Sequence, residues 1–76
     1  MTTFDREIDT RGTQCPMPVL KTKKALAQMQ TGEVLRVLAT DPASMADLAE
    51  FARQTGHRIV SQQELNGEYV HLIAHK

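Results

Sequence analysis

The sequence predicts an α+β fold, a two-layer α/β sandwich in the order β-α-β-α-β-β with a four-stranded mixed sheet and both helices on one face. Two segments carry apolar residues at helical spacing, and short apolar segments suited to strands lie before and between them. An Asn-Gly pair divides the C-terminal part of the chain into two further strands. The strand-helix-strand start favours a parallel pair joined by a right-handed crossover.

The first two elements are a short strand and an amphipathic helix. Residues 4–9 predict a strand whose alternate side chains, beginning with Phe4, share one face. From Pro16 onward the apolar and polar residues separate onto opposite faces at 100° per residue, until Thr31 and Gly32 end the helix. The predicted buried face consists of Val19, Thr22, Ala25, Leu26 and Met29, and the exposed face of Lys21, Lys24 and Gln28.

The next two elements repeat this order. Residues 33–40 (EVLRVLAT) are rich in Val and Leu with one interior charge, which is typical of a mostly buried strand. Asp41 and Pro42 then predict an N-cap and a first-turn proline for a second helix that closes at Gly56. Its predicted buried residues are Met45, Leu48, Ala49 and Ala52.

The end of the chain predicts a β-hairpin. Residues 57–64 and 68–75 flank Asn66-Gly67, a dipeptide suited to a tight hairpin turn because both positions tolerate positive φ. These last two strands should pair antiparallel.

Length and composition limit the kinds of function. The chain has 76 residues, 41% of them hydrophobic and 24% charged, which indicates one small globular domain. Nine basic residues balance nine acidic ones, so no overall field attracts the protein to phosphate backbones or anionic lipid. We therefore expect no direct binding to nucleic acid or to membranes.

The chain has one cysteine and no segment of about 20 apolar residues or signal-peptide pattern. A small secreted domain usually carries several cysteines in disulfides, whereas Cys15 has no partner within the chain. We expect a monomeric cytoplasmic protein in which Cys15 is a free thiol.

The stretch CPMP, residues 15–18, places that cysteine directly before two prolines. Proline lacks an N–H and has a restricted φ, so it is tolerated in the first turn of a helix and costly further inside. Pro16 and Pro18 therefore predict helix positions one and three, with Cys15 at or beside the N-cap. The helix dipole stabilises a thiolate there and makes Cys15 a candidate nucleophile, although the prolines remove two N–H donors.

The same cysteine has a second interpretation. Free cysteines are among the most buried residues, so Cys15 alone is as compatible with a small core residue as with a nucleophile. The surrounding pattern, Asp9-x-x-Gly12-x-x-Cys15-Pro16-x-Pro18, describes a strand end, a glycine turn and a thiol at the start of a helix.

These residues resemble the TusA family of sulfur-carrier proteins, also called SirA-like. The signature of that family is Cys-Pro-x-Pro at the start of the first helix of a β-α-β-α-β-β sandwich. Asp41-Pro42 matches the family's Asp-Pro turn before the second helix, and no motif position departs from the pattern. The resemblance covers essentially the full chain and implies a single carrier domain over residues 1–76.

The resemblance implies a function for Cys15. It would accept sulfane sulfur as a persulfide from a cysteine desulfurase or a rhodanese-like donor and pass it to an acceptor protein. The routes served in the family include 2-thiouridine in tRNA, the molybdenum cofactor and sulfur oxidation. Such a carrier contributes a sulfurtransferase half-reaction without independent turnover. The alternative is a non-catalytic regulatory or interaction module on the same fold.

The remaining candidate residues support the thiol or face a partner. Asp9 and Gly12 are expected to shape the turn that presents Cys15, by bonding local N–H groups and by allowing positive φ. With them, the predicted structural support consists of Pro16, Pro18, Asp41 and Pro42. The residues predicted to dock a partner are Arg11, Met17, Lys21 and Lys24, although a solvated helix face and a surface turn explain them as well.

The three histidines do not predict a metal site. His71 and His75 lie four residues apart on a predicted strand, about 13 Å along it, and not at the spacing of helical metal ligands. We expect structural or surface histidines, and no metal or cofactor.

Overall fold

The computed structural model describes residues 3–76 and confirms the predicted architecture of two helices and a four-stranded mixed sheet. The elements in chain order are β1 (Arg6–Asp9), α1 (Met17–Ala27), β2 (Val34–Ala39), α2 (Ser44–Thr55), β3 (Arg58–Leu65) and β4 (Glu68–Ala74). The sheet order is β1-β2-β4-β3, with β1 and β2 parallel and the other two pairs antiparallel. Among the described residues, no helix is both long and apolar enough to cross a membrane.

The core lies between the helices and one face of the sheet. Along β2, Leu35, Val37 and Ala39 are fully buried and alternate with half-buried residues on the other face. Leu35 pairs with Ile73 of β4, which is also fully buried. The apolar core cluster consists of Ala25, Leu26, Met29, Leu35, Val37, Leu48 and Ile73. This confirms the predicted inward face of the first helix, apart from Val19, which packs on the core while partly exposed.

Helix α1 is shorter than the sequence predicts, because the apolar period marks burial and not helical backbone alone. The helix ends at Ala27, and the N–H of Gln28 returns to the carbonyl of Ala25. Met29 is 9% exposed and belongs to the core although it lies outside the helix. The periodicity therefore continues into the turn that leads to β2.

Helix α2 also begins later than predicted. Its first residue is Ser44 and its N-cap is Ala43, so Asp41 does not occupy the cap position. Instead the Asp41 carboxylate accepts the Ala43 N–H at 3.0 Å in the preceding turn. The helix ends at Gly56 as expected, and of its predicted buried residues Leu48 and Ala52 are the most enclosed.

The predicted common face of the first strand is wrong at Phe4. The strand begins at Arg6, and Arg6 and Ile8 align with buried residues of β2. Phe4 precedes the strand, and its ring lies under the guanidinium of Arg36, 5.2 Å from the centroid. Because Arg36 is on the helix-free face of the sheet, Phe4 covers that face.

The hairpin between β3 and β4 forms as the sequence predicts. Asn66 and Gly67 have φ of 54° and 82°, the positive values that a two-residue hairpin turn of this type requires. An irregularity in β3 between Ile59 and Ser61 leaves Val60 outside the regular pairing.

A buried polar network joins the hairpin to the start of α2. His71 is fully buried, and its Nδ1 accepts a hydrogen bond from the Gln62 amide at 3.1 Å. Its other ring nitrogen therefore donates to the hydroxyl of Ser44 at 3.0 Å. Burial lowers the pKa of His71 to about 4, which keeps the ring neutral. The network thus positions the first turn of α2 without a buried charge.

Stability should fall as pH decreases from about 6.5 to about 4. The unfolded chain binds a proton at His71 near pH 6.5, whereas the folded chain resists protonation until about pH 4, so acid favours unfolding. His71 should contribute a loss of up to about 3 kcal/mol over this window. Urea unfolding at pH 7 and at pH 4.5 measures the decrease in the free energy of unfolding. In His71→Gln this difference between the two pH values should be smaller. An NMR titration that places the His71 midpoint near 6.5 would contradict the assignment.

Candidate functional site

Cys15 lies exposed in the loop between β1 and α1. The helix begins at Met17, with Pro16 as the N-cap and Pro18 buried at the second helical position. The two prolines therefore sit one position earlier relative to the helix than the sequence predicts, and the Cys15–Pro16 peptide bond is cis. Cys15 precedes the N-cap, so its side chain is presented beside the helix start and not within it.

The loop that carries Cys15 is tied to the end of β2. Thr10 is fully buried, and both its N–H and its hydroxyl donate to the carbonyl of Leu38, at 2.7 and 2.6 Å. The Thr13 hydroxyl donates to the Thr10 carbonyl at 2.6 Å. Gly12, at φ of 81°, donates its N–H to the hydroxyl of Thr40 at 2.9 Å. These hydrogen bonds fix the position of the loop relative to the end of β2.

Asp41 connects Cys15 to the second helix. One carboxylate oxygen accepts the backbone N–H of Cys15 at 2.8 Å, and the other accepts the N–H of Ala43 at 3.0 Å. Pro42 is exposed in the turn between them. The local sequence marks Asp41 as a helix cap, and the family resemblance marks it as structural support without saying what it binds. Its contact with Cys15 crosses 26 positions of the chain, which no local pattern reports.

The surroundings of the thiol raise the pKa of Cys15. The largest cause is the nearby carboxylate of Asp47, followed by desolvation and by the negative charges of Asp47 and Asp41. This corrects the expectation of a stabilised thiolate. Two full negative charges outweigh the half charge of a helix end whose first residues include prolines.

Asp47 is the site residue that sequence reasoning missed. It lies in the first turn of α2, where its N–H bonds the carbonyl of Ala43 at 2.9 Å. An acidic residue in a first turn is common because it complements the helix dipole, so the pattern gives no signal that Asp47 acts on the pKa of Cys15.

Arg11 is bound to carboxylates and not to the thiol. Its guanidinium contacts Asp9 at 2.9 Å and Glu68 at 3.5 Å. The Asp9 carboxylate also accepts the Arg11 N–H at 2.9 Å, and these bonds lower the pKa of Asp9 to about 2. Asp9 and Arg11 thus stiffen the start of the loop, and Arg11 is absent from the groups that shift the thiol pKa.

Exposed apolar and basic side chains lie on α1, the helix that begins two residues after Cys15. Met17 and Leu20 are 39% and 51% exposed, and Lys21 and Lys24 are exposed on the same helix. We call these four residues the α1 face. Leu20 was not among the predicted docking residues, because it falls outside the apolar period of the helix.

The histidines do not assemble a metal site. No group of three or more His, Cys, Asp or Glu side chains within residues 3–76 is arranged to hold a metal ion. His71 is enclosed in the core, while the rings of His57 and His75 meet edge to face with centroids 4.8 Å apart. No local pattern indicates the contact between His57 and His75, because it forms only when the end of β4 returns beside the end of α2.

Known proteins are similar in sequence to this chain over nearly its whole length. The model of the family described as "Sulfurtransferase TusA" matches residues 6–75. The chain is 45% identical over 73 residues to the sulfur carrier protein TusA of Allochromatium vinosum, covering 96% of each chain. It is 38% identical over 72 residues to the sulfur carrier protein TusA of Pseudomonas entomophila, covering 95% of this chain and 90% of the other.

The fold is shared as well. The crystal structure of a SirA-like protein from Desulfitobacterium hafniense matches with a TM-score of 0.83 and 33% sequence identity, covering 92% of this chain and 96% of that one. Together these matches confirm the resemblance first indicated by the CPMP stretch and the Asp-Pro turn. The chain belongs to the TusA family of sulfur-carrier proteins.

Proposed function

We propose that the protein carries sulfur as a persulfide on Cys15, within one carrier domain that spans the chain. The observation that supports this most strongly is the combination of an exposed thiol with a backbone held by the bond from its N–H to Asp41. The sulfur is accessible to a partner, yet the loop beneath it is anchored to the sheet. A cysteine that merely filled space would be buried.

The proposed loading step is a transfer of one sulfur atom between thiols. The Cys15 sulfur attacks the outer sulfur of a donor persulfide, a new S–S bond forms at Cys15, and the donor's S–S bond breaks. The donor's inner sulfur leaves as a thiolate and takes up the proton that Cys15 releases, so no external oxidant or reductant is needed. Cys15 is the only cysteine in the chain, so no second thiol can attack the persulfide and discharge it as sulfide.

The proposed donor is a cysteine desulfurase or a rhodanese-like protein, and the proposed recipient is a sulfur-acceptor protein of the same reducing cytoplasmic compartment. Thiolation of tRNA, molybdenum-cofactor synthesis and sulfur oxidation all begin with the same loading of Cys15. The protein is then a substrate of its donor and of its acceptor, and it completes half of a sulfurtransferase reaction. Two relatives named as sulfur carrier protein TusA support this role.

The α1 face is the proposed docking surface for these partners. Met17 and Leu20 offer exposed apolar side chains on the helix that follows the thiol, and Lys21 and Lys24 add positive charge on the same helix. An acidic partner surface complements this arrangement and raises the rate of encounter. Arg11 adds a positive charge in the loop before Cys15. Its ion pairs with Asp9 and Glu68 reduce the attraction that this charge can exert on a partner.

Loading is expected to add the mass of one sulfur atom to Cys15. The protein is incubated with a PLP-dependent cysteine desulfurase and cysteine, and the intact mass and the peptide containing residue 15 are measured. Cys15→Ser should show no adduct, since a hydroxyl does not form a persulfide. Wild-type protein that stays unmodified with both a desulfurase and a rhodanese-like donor would overturn the proposal.

Charge reversal on the α1 face is expected to slow loading without removing the thiol. Lys21→Glu with Lys24→Glu should reduce the loading rate about tenfold at low salt, and less at high salt, because electrostatic steering is screened. Arg53→Glu with Arg58→Glu makes the same change in net charge elsewhere and serves as the matched control. Equal loss in both double variants would assign the effect to net charge and not to this face.

The alternative, a regulatory module without sulfur chemistry, makes an opposite prediction in cells. A strain that depends on this gene would be complemented fully by Cys15→Ala but not by the double reversal of Lys21 and Lys24. Under the carrier proposal, Cys15→Ala fails to complement.

A further inference from the structure

A cavity lined by basic residues lies at the end of the sheet away from Cys15. It has a volume of about 220 Å³ and is enclosed by α1, the end of α2, the start of β3 and the end of β4. Its basic residues are Lys23, His57, His75 and Lys76, and its larger apolar ones are Leu26 and Phe51. Strand β2, six residues or about 20 Å long, separates this end of the sheet from the loop that carries the thiol.

The positive charges of this cavity are not compensated by carboxylates. No acidic side chain lines it. Glu33 bonds to His75 through the backbone, but its carboxylate accepts the N–H of Gln30 at 2.8 Å. Among the side chains that the structure describes, those of Lys23 and Lys76 form no salt bridge. The cavity is therefore a region of positive potential on a chain whose formal net charge is zero.

The backbone of Lys76 orients both imidazole rings. Its N–H donates to Nδ1 of His57 at 3.1 Å, and its carbonyl accepts from Nδ1 of His75 at 2.7 Å. The neutral His57 ring therefore carries its proton on Nε2, whereas Nε2 of His75 can accept one. The two rings meet edge to face with centroids 4.8 Å apart, and Phe51 stacks on His57 at 5.8 Å. The donor group of His57 is thus held in place, and within residues 3–76 it has no hydrogen-bond acceptor.

The cavity disfavours a further positive charge unless an anion enters. Burial and the positive charges of His75 and Lys76 lower the pKa of His57. A bound anion would remove this repulsion and accept hydrogen bonds from several directions. A phosphate monoester suits such an arrangement, because it carries a charge of about −1.5 to −2 at pH 7 and three strong acceptor oxygens. A carboxylate offers one charge and two oxygens.

We propose that this cavity binds a phosphate group, with the Nε2–H of His57 and the ammonium groups of Lys23 and Lys76 as its partners and Nε2 of His75 as a further donor when protonated. The volume is below the roughly 300 to 1,000 Å³ of sites for drug-sized ligands, which fits inorganic phosphate or a small phosphate monoester. Leu26 and Phe51 offer apolar contacts to the organic part of an ester. The inference is independent of sulfur transfer, because it does not involve Cys15.

An NMR titration of the wild-type protein tests the site directly. Sodium phosphate and phenyl phosphate are added separately, and sodium chloride at equal ionic strength serves as the blank. Saturable shifts are expected for the ring signals of His57 and His75 and for the amide of Lys76. The ring of His71 is fully buried elsewhere in the core and should not respond, so it is an internal reference.

Removal of the two ammonium groups should weaken phosphate binding. Lys23→Gln with Lys76→Gln is expected to raise the dissociation constant about tenfold at low salt, because two unit charges opposite a dianion are lost. The matched control, Lys21→Gln with Lys24→Gln, removes the same charge from α1 outside the cavity and should leave the constant unchanged.

The affinity for sulfate should increase about threefold or more from pH 8 to pH 6. Sulfate keeps its charge over this range, so the change reports on the protein. A proton on Nε2 of His75 supplies the additional donor, whereas His71, with a pKa of about 4, stays neutral. The other side chains around the cavity are those of Lys23, His57 and Lys76, with uncharged residues from α2. In His75→Gln the difference between the two pH values should be smaller.

The outcomes decide the inference without reference to the carrier proposal. Tighter binding of phenyl phosphate than of inorganic phosphate assigns the site to a monoester, and equal affinities assign it to the free ion; both support it. Wild-type shifts at His57 and His75 that do not saturate, or that chloride reproduces, overturn it. Equal weakening in the two double variants also overturns it, since net charge would then be the cause. Because the titration uses wild-type protein, the test holds even if a variant does not fold.

Discussion

The hydrogen bonds of the Asp41 carboxylate are the constraint on which the rest of the site depends. One side chain accepts an N–H from the residue that bears the thiol and an N–H from the turn that begins α2. The starts of the two helices are thereby held together at one end of the sheet, although they are far apart in sequence. The bonds of Thr10 and Gly12 tie the same loop to the end of β2, and the Asp41 carboxylate extends this connection to Cys15 itself.

Buried hydrogen bonds in the core hold the start of α2 in place. Ser44, the first residue of α2, bonds the buried ring of His71, and the Gln62 amide completes the set of partners for that ring. The same amide donates to the carbonyl of Met45 at 2.9 Å. The first turn of α2 is therefore connected to both strands of the hairpin, and the position of Asp47 on that turn follows from the sheet. The sequence does not distinguish a structural from a surface role for His71. In the structure His71 is buried and helps to position the helix start beside the site.

Much of the fold could be predicted from local patterns because the interactions that form it are local or periodic. Asn66-Gly67 specifies its own turn, and the alternation along β2 reports which face is covered. The family signature located Cys15 for a similar reason, since its residues are close in the chain. The contacts that set the chemistry of the thiol are different in kind. Asp47 has an ordinary position in a helix, and Phe4 left its expected face because the strand begins two residues later. Tertiary packing decides both, and the acidity of Cys15 depends on that packing and not on the residues beside it.

The position of Cys15 also bears on the order of events in sulfur relay. The thiol is exposed in the loop just before Met17, and the sequence contains no second cysteine to which the sulfur could pass. In the proposed carrier, donor and acceptor must therefore occupy the same place in turn, and each excludes the other while it is bound. Such a protein gains nothing from very tight binding to either partner, because slow departure of the donor would delay arrival of the acceptor. Throughput is then limited by dissociation, and modest affinity on both sides is the condition for fast exchange.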